Sequence, residues 1–441
     1  MLQGFEVKDF KCHEDYNEIK MPGLTVVSGT NNSGKSSFLQ ALYLLTQNKT
    51  NSHTKLVLNE ELDLGGFPDI LNKNKTSQES IEFSADFSKE NLDASGLEHL
   101  AVTFSYRNPA VFKNLSFGFG DTAPVLSGME CQYKKTGQKL ETLRLDIVDE
   151  KDSTFYRVTG ESDNGYCTMR GIVPDSVIYR DLRKKERTIC SGEFETIMGY
   201  LIRLSRENIK YMKALRLSDF LDKSTTSDNY MGLAGEFTAE IIYKTWEKPI
   251  DFNKEDGSGE RFTFSELFDV WIKKLLGNDY RVRSTMTESK HRKYRVTIEE
   301  IKRGLELNLN QVGIGISQLL PIIVLILTSK AHDILLIENP EVHLHPKLQA
   351  LFTDLCLFAV ENGRKLVVET HSEHVVNRLR FRVKESPHYL EKVSVLFLDK
   401  REGDIQYTEV HIDKDGKIDF WPEDFFDQGY KDLLGLVKDS E

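Results

Sequence analysis

The spacing of apolar and polar residues changes three times along the chain. Up to residue 47 it predicts two strands, the second being the apolar run Leu24-Thr-Val-Val-Ser28, then a glycine-rich turn and a helix over Lys35–Leu45. Between about 80 and 160, short alternating runs (Ile81–Phe87, Ala101–Tyr106, Leu143–Val148, Phe155–Thr159) are separated by turn residues. Period-two patterning of this kind predicts antiparallel strands. Helical spacing then takes over in Glu193–Leu217, Ala234–Trp246 and Phe264–Leu276. Past 290 the pattern predicts a strand over 293–309, helix 317–329, strand 333–338, helix 346–362, strand 365–370, helix 373–385 and strand 392–399. Strands alternating with helices imply an α/β fold with a mostly parallel sheet flanked by helices, whose ligands sit beyond the strand C-termini.

The expected organisation is a split core. Residues 1–160 form its first half with an antiparallel β subdomain, 161–290 a mainly helical insertion, 291–400 its second half, and 401–441 a short C-terminal extension. At 441 residues, 39% hydrophobic and 29% charged, the composition is that of an ordinary globular protein. Five scattered cysteines, odd in number and never spaced C-x-x-C, fit free thiols in a reducing cytosol. The N-terminus has no basic n-region followed by an apolar h-region, and Leu319–Leu327 falls far short of the ~20 residues of a membrane span. A cytoplasmic location and no membrane partner are therefore expected. The net charge of −11 argues against a surface coated in nucleic acid, although three basic clusters could meet phosphates: Arg183–Lys185 with Arg180 and Arg187, Lys290–Lys293 with Arg295, and Arg378, Arg380, Arg382 and Lys384. For any single cluster a solvated or partner-binding face is the favoured reading, since charge runs alone specify little.

The chemistry concentrates at two places. Gly29-Thr30-Asn31-Asn32-Ser33-Gly34-Lys35-Ser36, followed by Ser37, fits G-x-x-x-x-G-K-[ST] between a strand and a helix. Glycines at 29 and 34 let main-chain N–H groups wrap an anion, and the helix start adds partial positive charge. Lys35 is placed to neutralise β- and γ-phosphate oxygens, and Ser36 to ligate Mg²⁺. Far downstream, Ile334-Leu-Leu-Ile ends in Glu338, whose carboxylate would hold Mg²⁺ directly or through water. ATP and Mg²⁺ are the expected cofactors.

Two further segments fall near the same strand ends. Asn310-Gln-Val-Gly-Ile-Gly315-Ile-Ser317-Gln318 places glycines, and Ser317 as an N-cap, before an apolar helix. Val367-Val-Glu369-Thr370-His371 ends another strand. His343 and His345, with His371 and His374, raise the thought of a metal site, but no cysteine lies near and phosphate chemistry already accounts for the region.

The segment holding Gly315, Ser317 and Gln318 resembles the signature motif of ABC-type ATPases, lying between a phosphate loop and a magnesium strand. In that class the signature of one subunit completes the ATP site of another, which implies a homodimer or higher oligomer. The resemblance gives His371 the part of the γ-phosphate-sensing switch histidine. It also puts Asn339 where most such enzymes carry the glutamate that polarises water; an amide cannot act as base, so Glu341 or a residue from elsewhere takes that role, or turnover is slow.

More closely, the chain resembles the prokaryotic SMC-like ABC ATPases of the OLD type. The resemblance rests on Val-Gly-x-Gly-x-Ser-Gln-x-Leu-Pro, Ile-Glu-x-Pro-Glu-x-His-Leu-His-Pro and Glu-Thr-His-Ser-Glu-His, with Met212–Arg216, Gly235–Glu240 and Gly416–Gln428 as further matches of no assigned role. Such relatives include ATPase subunits of anti-phage systems that restrain or license a nuclease. About 40 residues remain past Asp399, too few for an independently folded TOPRIM domain, and the insertion shows no HNH-like arrangement. The expected effector is a separate nuclease of either type. An SMC-like DNA-repair or chromosome-maintenance ATPase that binds DNA directly is the alternative, and it would want long heptad arms. No Q-loop glutamine stands out after the P-loop helix, and Phe10 and His13 are the candidates to face adenine.

Overall fold

In the computed structural model, the alternating stretch forms one ten-stranded antiparallel sheet. It meanders from Ser80–Phe87 through Leu97–Arg107, Val125–Lys135, Leu140–Val148, Phe155–Thr159, Asn164–Cys167 and Val177–Asp181 to Glu186–Ile189. Leu2–Lys8, with Ile19–Lys20 beyond it, pairs on the other side of Ser80–Phe87. The structure describes residues 2–15, 17–47, 55–58, 61–76, 78–87, 96–112, 115, 122–148, 155–175, 177–181, 186–206, 209–216, 231–254, 259–288, 293–311, 313–401, 404–423 and 425–426. The basic residues 183–185 and 290–292 lie outside this set.

The chain divides into two compact units. The first comprises Met1–Met21, Asn31–Asn208 and Leu398–Tyr407, and the second Pro22–Thr30, Ile209–Phe397 and Thr408–Glu441. In the first unit the P-loop helix Lys35–Gln47 packs on the large sheet through aromatic edges. Phe38 meets Phe5 at 5.5 Å between ring centroids, and Phe83 joins Phe5, Phe10 and Tyr106 at 6.2, 5.8 and 5.8 Å. Edge-to-face and offset rings of this kind add to the area they bury.

A second sheet has the order Ile209–Met212, Ile334–Glu338, Lys365–Glu369, Leu24–Gly29, Val393–Arg401, Asp404–Glu409. Its first three neighbour pairs are parallel. The central strands are buried on both faces, which is why they read as unbroken Val/Ile/Leu runs. Helices Ile314–Thr328, Pro346–Glu361 and Glu373–Glu385 share one core with these strands, and Phe264–Leu276 joins it through Phe264, Phe268 and Trp271. The last helix starts on a capping box, Thr263 accepting from the Glu266 N–H while Glu266 accepts from the Thr263 N–H.

Three expectations change. The antiparallel strands continue to Ile189, so a boundary at 160 would cut a continuous sheet. Of the described residues in Glu193–Leu217, those up to Arg206 are helical, in a helix over Gly192–Arg206; Ile209-Lys-Tyr-Met212 alternates and becomes a strand because Ile334–Glu338 offers it a parallel partner. Residues 293–309 form two strands, Lys293–Glu300 and Leu305–Asn308, turned back at Gly304 with φ +62° and paired antiparallel in a small sheet with Tyr280–Glu288. All five cysteines are free, and among the described residues no helix is long and apolar enough to cross a membrane.

Candidate nucleotide site

The glycine-rich turn links the strand Leu24–Gly29 to the helix Lys35–Gln47, with left-handed φ of +61° at Asn32 and +89° at Gly34. A side chain at Gly34 would be strained and crowded, since its Cβ would lie 2.8 Å from Cys12 Sγ and 2.9 Å from the His13 ring. Ser33 and Lys35 are buried and Lys35 Nζ lies 3.5 Å from Ser33 Oγ, whereas Asn31 and Asn32 are exposed and Ser36 and Ser37 half-buried. Below the loop, the His13 ring is 1% exposed, and burial pushes it down to about 4. It is therefore neutral at pH 7. The Gly34 carbonyl, 3.0 Å from Nε2, can only accept, so Nε2 carries the proton and Nδ1 accepts from the Tyr407 hydroxyl. Phe10 is wholly buried in the aromatic cluster. Neither Phe10 nor His13 offers a face to adenine.

In the second unit, the parallel register Met212↔Ile337 places the turn after Met212 beside the tip of the Glu338 strand. Glu338 is buried; its Oε1 accepts from the Tyr211 hydroxyl and its Oε2 from the Ala214 N–H at 3.1 Å. Arg216, 5% exposed, donates from Nη1 to the carbonyls of Lys213 and Glu338 and from Nη2 to that of Asn339, each at 3.0 Å. Among the described residues its Nε has no hydrogen-bond partner, and burial lowers the group to about 10, which leaves it charged at neutral pH. Asn339 adopts φ +40° and donates its N–H to the Glu369 carbonyl at 2.8 Å.

The helix of the segment expected to act as the signature, called the signature helix for that expectation, runs Ile314–Thr328 with Gly313, not Ser317, at its N-cap. Ser317 lies inside the first turns, buried, donating to the Ile314 carbonyl at 2.7 Å. Gln318 is also buried, accepting from the Arg216 N–H at 3.3 Å and donating to the Arg216 carbonyl at 2.9 Å. A Cβ on Gly315 would stand 2.6 Å from the His343 carbonyl oxygen, so glycine lets this helix lie directly on the turn after Glu338. Glu341 Oε2 accepts from the Thr370 hydroxyl at 2.7 Å and Oε1 from the His371 N–H at 2.6 Å, tying that turn to the end of the neighbouring strand. His345 caps the following helix by accepting from the Lys347 N–H at 3.3 Å. No group of three or more His, Cys, Asp or Glu among the described residues could hold a metal ion.

A family model described as an AAA ATPase domain matches residues 1–376. The chain belongs to this AAA ATPase domain family. Residues 390–436 match a second model, described only as a protein of unknown function. No curated protein matches the chain. Among solved structures, the AAA ATPase is similar to an SMC head bound to the C-winged helix domain of ScpA: 13% identity, 94% of this chain and 98% of the other covered, TM-score 0.44. It is similar to the SMC head domain from Thermotoga maritima at 11% identity, 93% and 99% coverage and TM-score 0.40. A Pyrococcus furiosus SMC head with an extended coiled coil, bound to the C-terminal domain of ScpA, gives 11%, 99% and 99%, and 0.41.

As an AAA ATPase, the protein hydrolyses ATP, and its residues fit the nucleotide and its ion. The loop with left-handed Asn32 and Gly34 opens directly into the start of a helix, where partial positive charge favours an anion. Glu338 has two lone pairs left after meeting Tyr211 and Ala214, enough for a cation or its water. Within the second unit the structure brings together Glu338, Glu341, His371, Gly315 and Gln318, whereas Asn31–Ser37 belong to the first unit. Sequence reasoning missed Tyr211 altogether and gave Arg216 no role. The signal available was an arginine four residues past an alternating apolar run, too common to single out. Of the basic residues near 380, Arg378 and Arg382 are held by Asp354 at 2.8 Å each and Arg380 by the Gly416 carbonyl at 2.8 Å.

Proposed function

We propose that this chain is the ATP-binding and hydrolysing regulatory subunit of a prokaryotic anti-phage defence complex. Two copies would sandwich two ATPs, and the closed state would control a separate nuclease of the HNH or TOPRIM type. Lys35, Ser36 and the turn amides would hold the triphosphate, Glu338 and Ser36 the magnesium, Glu341 would orient or accept from water, and His371 would meet the γ-phosphate. Magnesium supplies charge neutralisation on the phosphates.

The observation that carries the regulatory reading is Asn339. An amide follows Glu338 directly, fixed by main-chain bonds to both Arg216 and Glu369, so no general base occupies that position. Glu341, the nearby alternative, spends an oxygen each on Thr370 and His371. Slow turnover suits a switch that must persist while an effector reads it.

The test begins with the purified chain. It should bind ATP, hydrolyse it at well under the roughly 1–100 s⁻¹ typical of kinases, and lose both properties in Lys35→Ala. Co-purification from the native operon should then recover a nuclease whose activity follows the nucleotide state. Turnover that Lys35→Ala leaves untouched would sink the site. Salt-sensitive DNA binding that needs ATP but no protein partner would favour the chromosome-maintenance alternative.

A further inference from the structure

Among the described residues of the second unit, two buried arginines serve different ends. Arg364, 2% exposed, lies over the Phe252 ring and spends its donors on Ser329, Asn362 and Asp251, none of them a partner of the Glu338 carboxylate. Its role is to join core elements. Arg216 instead spends every bonded donor on main-chain carbonyls, two of which belong to Glu338 and Asn339. Meanwhile its own main chain is gripped on both sides, N–H and carbonyl, by the one side chain of Gln318 on the signature helix.

We propose that Arg216 is a positioning residue that carries the state of the signature helix to the Glu338 carboxylate. Gln318 sits on the second turn of that helix, so a shift of the helix moves the Arg216 peptide with it. A guanidinium is planar and rigid, and three 3.0 Å contacts to carbonyls cannot all survive a displacement of an ångström. The Glu338 and Asn339 peptides would turn in response, and with them the carboxylate. The Ala214 N–H on Glu338 Oε2 belongs to the same short turn, so both ends of the acid answer to one segment.

The inference rests on the ATPase activity of the family and not on the identity of any effector. Its test uses the full chain, with Arg216→Lys, Gln318→Met and the double variant assayed for turnover over a range of ATP concentrations. An ammonium cannot serve three carbonyls in a plane, and Met keeps the volume of Gln while removing both amide bonds. Each single variant should lower kcat at least tenfold with KM for ATP within threefold, and the double variant should lose no more than the worse single one, because both break one chain of contacts. Should Arg216→Lys fail to fold, Gln318→Met alone decides. Wild-type kcat in folded Gln318→Met would overturn the proposal, as would multiplying losses in the double variant. So would a KM increase beyond threefold, which would place Gln318 on the nucleotide. A wild-type protein that turns over ATP without ever forming a dimer would remove the sandwich reading and leave this result standing.

Discussion

At the scale of single residues, His13 gives the P-loop an acid-sensitive footing. Its native pKa of about 4 lies below the ~6.5 of an unfolded histidine, so the unfolded chain takes up a proton first as the pH falls. The stability tied to this group is complete above the unfolded value and is lost on acidification between 6.5 and 4. Linkage puts the loss at about 2 kcal/mol between pH 7.5 and pH 5. His13→Gln, which keeps a donor and an acceptor but cannot ionise, should flatten that slope in denaturant-unfolding curves measured at the two pH values. An identical slope in the variant would mean that His13 opens to water before the chain unfolds.

At the scale of elements, the close approach of the signature helix to the turn after Glu338 depends on one missing methyl group. Gly315→Ala would press Cβ to 2.6 Å from the carbonyl oxygen of His343, a residue already at φ +63° with little room to yield. The expected cost is about 1–3 kcal/mol of stability together with reduced ATP turnover. Gly313→Ala, two residues away, meets nothing within 4 Å and should cost less than about 1 kcal/mol through weaker capping. Thermal unfolding of the pair would separate contact from helix propensity; equal shifts would show that the helix simply moves aside. Elements of this kind were largely legible in the sequence. The helix Phe264–Leu276 and the strand Phe155–Thr159 fall at their predicted residues, because amphipathic spacing and capping chemistry are local signals. The strand Val125–Lys135 escaped notice, and Ile209–Met212 was absorbed into a helix, since four residues become a strand only when a partner strand exists. For the candidate site, fixed motifs were enough to nominate residues such as Lys35 and Glu338. Tyr211, Arg216 and the committed side chain of Gln318 could not, because their parts arise from pairing across more than 100 positions.

At the scale of the whole molecule, the question is what a second copy would meet. Ser317 and Gln318 direct their polar atoms inward, so a partner's phosphate would have to be approached by the exposed start of the signature helix, where Ile314 is 51% exposed. Leu215, beside the Arg216 that Gln318 holds, is 80% exposed. Two apolar side chains left open beside a helix start with no acidic residue in its first turn suit a contact that closes over an anion. Light scattering should show one-chain mass without nucleotide and two-chain mass with a non-hydrolysable ATP analogue and magnesium. Ile314→Asp sets a negative charge against the incoming phosphate and removes the apolar contact, while every P-loop residue stays in place. It should hold the protein at one-chain mass, with its affinity for the analogue changed by less than threefold when both proteins are dilute enough to stay as single chains. A variant that still doubles in mass would move the dimer contact to another face, and loss of nucleotide binding by the lone chain would mean that Ile314 serves its own subunit's site and not a neighbour's.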